Sequence, residues 1–115
     1  HLAKDDITIE EVRDRLGNDI IVGISCYNDF ERVNKMMATN CDYIALGACF
    51  PTKTKPNAPH ASLNFLENVV EISIKPVVAI GGINLNNVSN LFSLGVFGVE
   101  VILNILNIFS VFYNM

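Results

Sequence analysis

Apolar runs of strand length recur along this chain, each separated from the next by a segment of helical periodicity. That alternation constrains the fold more than any other feature. DIIVGISC (Asp19–Cys26), DYIALGAC (Asp42–Cys49), PVVAI (Pro76–Ile80) and VFGVEVIL (Val96–Leu103) are near-continuously apolar, the pattern of strands buried on both faces. Pro76 is tolerated because it occupies the first position of its strand. Between the strands, Thr8 and Glu11 form a capping box that opens a helix closed by Gly17. Asn28 and Glu31 repeat that spacing ahead of Phe30, Val33, Met36 and Met37, and Asn40 suits a left-handed residue after this second helix. Leu63, Leu66, Val69 and Val70 share one face of a third helix. A fourth follows Gly81-Gly82, capped by Asn84, with Leu85, Val88, Leu91 and Phe92 inward and Gly95 as its stop.

Strand and helix alternating in this way predict a parallel α/β sheet covered by helices. Four strands are half of a closed eight-stranded barrel, which takes about 250 residues, whereas this chain has 115. His1-Leu2 directly before acidic residues reads as the end of a preceding strand. No low-complexity or Pro/Gly-rich boundary divides the chain, so residues 1–115 are expected to form a single partial domain.

Composition excludes several classes of function. Eight basic and twelve acidic residues give a net charge of -4, without the basic footprint that nucleic acids require. No apolar stretch reaches the roughly 18 residues of a membrane span, and the N-terminus has no signal-peptide pattern. Cys26, Cys41 and Cys49 lack a CxxC-like pair, so they read as buried reduced thiols of a cytoplasmic protein. Nine of the twelve acids lie in residues 1–42 and none in residues 101–115. With an apolar content of 50% and two unpaired edges on a four-stranded sheet, the isolated chain is expected to self-associate.

In parallel α/β folds the polar groups at the carboxyl ends of the strands converge on one face. Here those ends supply Lys4-Asp5-Asp6, Ser25-Cys26-Tyr27, Thr52-Lys53-Thr54-Lys55, Gly81-Gly82 and Ile102-Leu103-Asn104. No Ser-His-Asp or Cys-His arrangement is legible among them, which argues against nucleophilic hydrolysis. Hydroxyls, ammonium groups and glycine turns instead suit phosphates, and the carboxylates suit a hard cation such as Mg²⁺. Singly, each has a plainer reading: a tight turn at Gly81-Gly82, a solvated loop at Asp5-Asp6 and TKTK, a backbone-capping hydroxyl at Ser25.

HLAKDD, VGISCYND, DYIALGACFPTKTKPNAP, PVVAIGGI and a last GV-x-V-I strand, in that order, resemble the thiamine-phosphate synthase family over residues 1 to about 104. The thiazole tautomerase relatives share the barrel but usually place a histidine where Tyr27 stands and lack the threonine at Thr54. A non-catalytic phosphate-binding half-barrel is the remaining alternative. The resemblance implies the C-terminal half of a (β/α)₈ TIM barrel that joins a hydroxymethylpyrimidine diphosphate to a thiazole phosphate, releasing pyrophosphate. By that resemblance Asp6 is a Mg²⁺ ligand, and Ser25 and Lys55 hold the pyrimidine diphosphate. Thr52, Lys53 and Thr54 touch the thiazole phosphate, with Gly82, Ile102 and Leu103 as its cradle. Small-molecule substrates, and neither nucleic acid nor membrane, are the implied partners. The chain departs from the pattern at Ala3, where the family usually has glycine, at Leu103, where it has serine, and in the uncharged tail 105–115. The family's upstream pyrophosphate-binding residues and first metal ligand find no counterpart in this sequence. The expectation is therefore a truncated or frame-altered product, or an excised fragment.

Overall fold

The computed structural model describes residues 1–51, 60–104 and 107–112, with residues 101–104 and 107–112 through their backbone. Four βα-type strands run parallel in chain order: β1 (Gly23–Tyr27), β2 (Tyr43–Leu46), β3 (Val77–Ile80) and β4 (Gly98–Asn104). Leu2 makes an isolated parallel bridge to Ile24 beside β1. Helices α1 (Ile9–Leu16), α2 (Phe30–Met37), α3 (Leu63–Ile72) and α4 (Val88–Ser93) complete the alternation.

A fifth strand, β5 (Asn107–Phe112), pairs antiparallel with β4, setting Gly98 opposite Phe112 and Ile102 opposite Ile108. The sequence reading had left that edge of β4 open. The uncharged tail covers it instead, because an unpaired row of N–H and C=O groups is a template for any adjacent apolar segment.

The core explains the apolar pattern. Ile24, Cys26, Ile44, Leu46, Val77, Ala79 and Val99 project from one face of the sheet onto Ile9, Val12, Val33, Leu66, Val69 and Leu91 of the four helices. Each large side chain removed from water there contributes roughly 1.5–3 kcal/mol relative to exposure. Strand alternation sends Gly23, Ser25, Tyr43, Ala45, Val78 and Glu100 to the other face.

Helix ends follow the sequence at some sites and depart at others. Thr8 caps α1 by accepting from the Glu11 N–H at 3.2 Å, and Gly17 ends it at φ 85°. Asp29, not Asn28, caps α2, its Oδ1 accepting from the Arg32 N–H at 3.1 Å, since Tyr27 turns at φ 57° and delays the helix by one residue. Asn40 is not left-handed. The carbonyls after α2 are capped by cations: Arg13 donates to Asn40 O, and Lys75 Nζ to Thr39 O and Cys41 O. Asn84 does not cap α4. Its Oδ1 accepts from the Asn86 and Asn87 N–H groups in a preceding turn, which leaves Leu85 outside the helix and 94% exposed. The apolar run Asp19–Cys26 becomes strand only from Gly23, with Ile20 and Ile21 exposed. There the Ile20 carbonyl accepts from Arg13 and the Val22 N–H donates to Asp42, so neither enters a ladder. Among the described residues no helix is long and apolar enough to cross a membrane.

Candidate active site

The helix-free face of the sheet gathers the chemistry. Ser25, at the middle of β1, is the buried polar residue of that face. Leu2 points to the helices with Ile24, so alternation turns His1 to the Ser25 side. His1 Nε2 lies 2.7 Å from Ser25 Oγ, and His1 Nδ1 lies 3.0 Å from the Tyr43 hydroxyl. The Tyr43 ring occupies the space above Gly23, where an added Cβ would fall 1.9 Å from its Cζ. A glycine at 23 is therefore what lets Tyr43 reach His1. No Ser-His-Asp or Cys-His arrangement is legible in the sequence, and a serine–histidine–tyrosine contact is not either. The tertiary structure builds one from residues 24 apart in sequence. The Leu2–Ile24 register is the signal that would have revealed it, and pairing register is not visible in one strand's own sequence.

Asp6 sits on an exposed loop between Leu2 and α1. Its Oδ2 accepts from the Ala3 N–H at 2.7 Å, and its own N–H donates to Ala3 O. The loop is tied to β1 by Tyr27, whose hydroxyl accepts from the Lys4 N–H at 3.0 Å. Arg32 stacks 5.8 Å above the Tyr27 ring and donates through Nε to Ser25 O at 2.6 Å. One bound Asp6 oxygen leaves Oδ1 for a cation. No group of three His, Cys, Asp or Glu side chains suited to a metal gathers among the described residues. Asp6 thus offers a single carboxylate oxygen, and one carboxylate together with phosphate oxygens is a donor set that suits Mg²⁺.

Gly82 turns at φ 65°, and a Cβ there would lie 2.5 Å from Phe50 O. This close approach joins the end of β3 to the segment after β2. The helix that follows, α4, starts only at Val88, and Asn87 makes no side-chain cap. Thr52, Lys53, Thr54 and Lys55 lie outside the described residues. Their flanks are held where Phe50 N–H donates to Gly81 O and Ala61 N–H to Ala48 O. In β4, Ile102 pairs with Ile108, and Leu103 falls at a register shift.

The three cysteines are buried and unpaired. Burial pushes the Cys26 thiol up to about 12 and the Cys49 thiol up to about 11, so neither is a thiolate nucleophile at neutral pH. A cavity lined by Val70, Lys75, Val77, Phe92 and Phe97 lies at the opposite rim, away from the strand ends.

The family model described as thiamine monophosphate synthase matches residues 1–105. A thiamine-phosphate synthase of Methylobacillus flagellatus is 45% identical over 87 residues, 76% of this chain and 41% of the relative. One of Persephonella marina is 46% identical over 88 residues, again 76% of this chain and 42% of its own length. The solved thiamine phosphate pyrophosphorylase from Pyrococcus furiosus superposes with a TM-score of 0.74 at 32% identity, covering 87% of this chain and 46% of that one. That enzyme is of the TIM-barrel type, and the four βα repeats here account for about half of it. This chain spans about two fifths of the curated relatives it matches. With the match running through HLAKDD at one end and the strand β4 at the other, the chain belongs to the thiamine monophosphate synthase family.

Proposed function

We propose that this half-barrel serves the condensation of a hydroxymethylpyrimidine diphosphate with a thiazole phosphate, yielding thiamine phosphate and pyrophosphate in thiamine biosynthesis. The family match over residues 1–105 supports the reaction. The observation that carries the reading to residues is the convergence of Ser25 and the Asp6 loop at the end of β1 through Tyr27 and Arg32. In this reaction the C–O bond to the diphosphate breaks, the diphosphate leaves with the electron pair, and the pyrimidine methylene bonds to the thiazole nitrogen. No protein nucleophile is needed, which accords with the raised cysteine thiols. The residues must instead orient two substrates and hold the charge that develops on the leaving group.

Ser25 and Lys55 are assigned to the diphosphate, and Asp6 to one ligand of Mg²⁺. When bound, that ion supplies positive charge to the leaving diphosphate. Thr52, Lys53 and Thr54, with Gly82 and the backbone of Ile102 and Leu103, are assigned to the thiazole phosphate. A cytoplasmic location is part of the same proposal.

Pyrophosphate release with both substrates and Mg²⁺ tests the reading. A complete barrel, with the remaining half supplied by the N-terminal part of the Methylobacillus flagellatus relative, should turn over. The 115-residue chain alone should not, because Asp6 by itself does not hold metal and diphosphate in register, and a misplacement of about 1 Å can cost about 100-fold. A well-folded complete barrel that releases no pyrophosphate overturns the proposal.

A further inference from the structure

We infer that His1 is a positioning residue that aims the Ser25 hydroxyl proton at the anionic substrate, with Tyr43 selecting the imidazole tautomer that does so. The inference rests on the assignment of Ser25 to the diphosphate. Neutral imidazole has one donor and one acceptor nitrogen, and the hydrogen bond at one nitrogen selects the state of the other. Two patterns fit the 2.7 and 3.0 Å contacts. In one, Ser25 donates to Nε2, which spends its proton and leaves it only lone pairs for a ligand. In the other, the Tyr43 hydroxyl donates to Nδ1, Nε2–H donates to Ser25 Oγ, and the Ser25 proton remains for a third partner.

A phosphoryl oxygen accepts and does not donate, so only the second pattern serves it. Two features of the structure hold Tyr43 in place for that role. Gly23 leaves the space its ring fills, and burial pushes its phenol above the ordinary value, with Glu100 adding to the effect. The phenol therefore keeps its proton, and Tyr43 can donate. Arg32 approaches the same residue but donates through Nε to the Ser25 carbonyl, not to its hydroxyl.

A double-mutant cycle in the complete barrel tests this. His1→Ala should raise the KM for the pyrimidine diphosphate about tenfold, the loss of one hydrogen bond that orients another to an anion. The KM for the thiazole phosphate should not move. His1→Gln, whose amide N–H can replace Nε2–H, should restore most of the loss, and Tyr43→Phe should show a smaller loss of the same kind. In a Ser25→Ala background, His1→Ala should have no further effect. Additive effects of the two alanine variants, or a His1→Ala enzyme that matches the parent while Ser25→Ala is impaired, overturn the inference and leave the proposed function standing. A Ser25→Ala enzyme with unchanged KM and kcat overturns the assignment of Ser25 itself, and the inference with it.

Discussion

The two rims of the half-barrel commit their charged side chains to the fold to different degrees. At the N-terminal rim the charges are consumed by the fold. Arg13, 8% exposed at its side chain, bridges Asp42 at 2.8 Å and donates to the carbonyls of Ile20 and Asn40. Asp42 also accepts from the Val22 N–H at 2.7 Å, and Lys75 closes the loop after α2. At the C-terminal rim neutral groups, among them Tyr27, Asn84 and Asn87, share that work with Asp29, Arg32 and one oxygen of Asp6. Asp6 stays exposed there with one oxygen uncommitted. Both rims spend charge on the backbone, and the C-terminal one keeps one Asp6 oxygen free of partners among the described residues. This is the division expected where stability resides at the bottom of a barrel and chemistry at the top.

The comparison breaks most visibly if a top-rim charge proves structural. In the complete barrel, Lys55→Ala and Asp6→Asn should each lower kcat/KM by a few hundredfold, the scale of losing one charge-stabilising group. The urea midpoint should stay at the parent value. A shifted midpoint with retained turnover would place these groups in the fold instead.

The bottom rim should answer in the reverse sense. Asp42→Ala should lower unfolding stability by about 1–3 kcal/mol, the range for hydrogen bonds to a charged group, and leave KM values intact. Its pH dependence sharpens the point. The Val22 N–H, then Arg13, hold the Asp42 carboxyl below its ordinary value, so the folded state binds the proton more weakly than the unfolded chain does. The stabilisation is complete above the unfolded carboxyl range near pH 4 and is lost as pH falls through it toward the folded value. Urea titrations at pH 7 and pH 3 should therefore converge for the parent and the Asp42→Ala variant in acid. A constant gap between them would detach Asp42 from the acid response.

The smallest effect concerns two neighbouring lysines. Lys53→Ala should change kcat/KM by no more than about twofold, as for a substitution outside the charge-stabilising set. Steady-state rates for the Lys53→Ala and Lys55→Ala barrels, measured side by side, check this. Equal losses at the two positions would mean that the loop acts by total charge rather than by placement.

Much of the fold is legible in the sequence because its signals are local. The periodicity picks out Val33, Leu66 and Val69, which are wholly buried, although Phe30 and Leu63 of the same expected faces stay 45% and 40% exposed, and Gly17 and Gly95 end helices at positive φ as their type allows. Thr8 caps α1 through a side chain three residues from its partner. The readings that failed depend on partners far away in sequence. Asn40 looked like a left-handed stop, yet Arg13 satisfies its carbonyl from 27 residues away. Ile20 and Ile21 looked like strand until Asp42 claimed the Val22 N–H. Leu85 fits a helical face, but the side-chain bonds of Asn84 and Asn87 hold a turn there.

The same boundary runs through the candidate site. Sequence alone determined which segments alternate as strand and helix and that Gly82 turns directly after β3, because strand length and alternation are written in each segment by itself. Only the tertiary structure decided that His1 meets Ser25 and Tyr43, and that the uncharged tail covers the edge of β4. Both depend on register between segments. Register is set by the joint burial of several strands and helices, a property of the assembled sheet that no single segment contains.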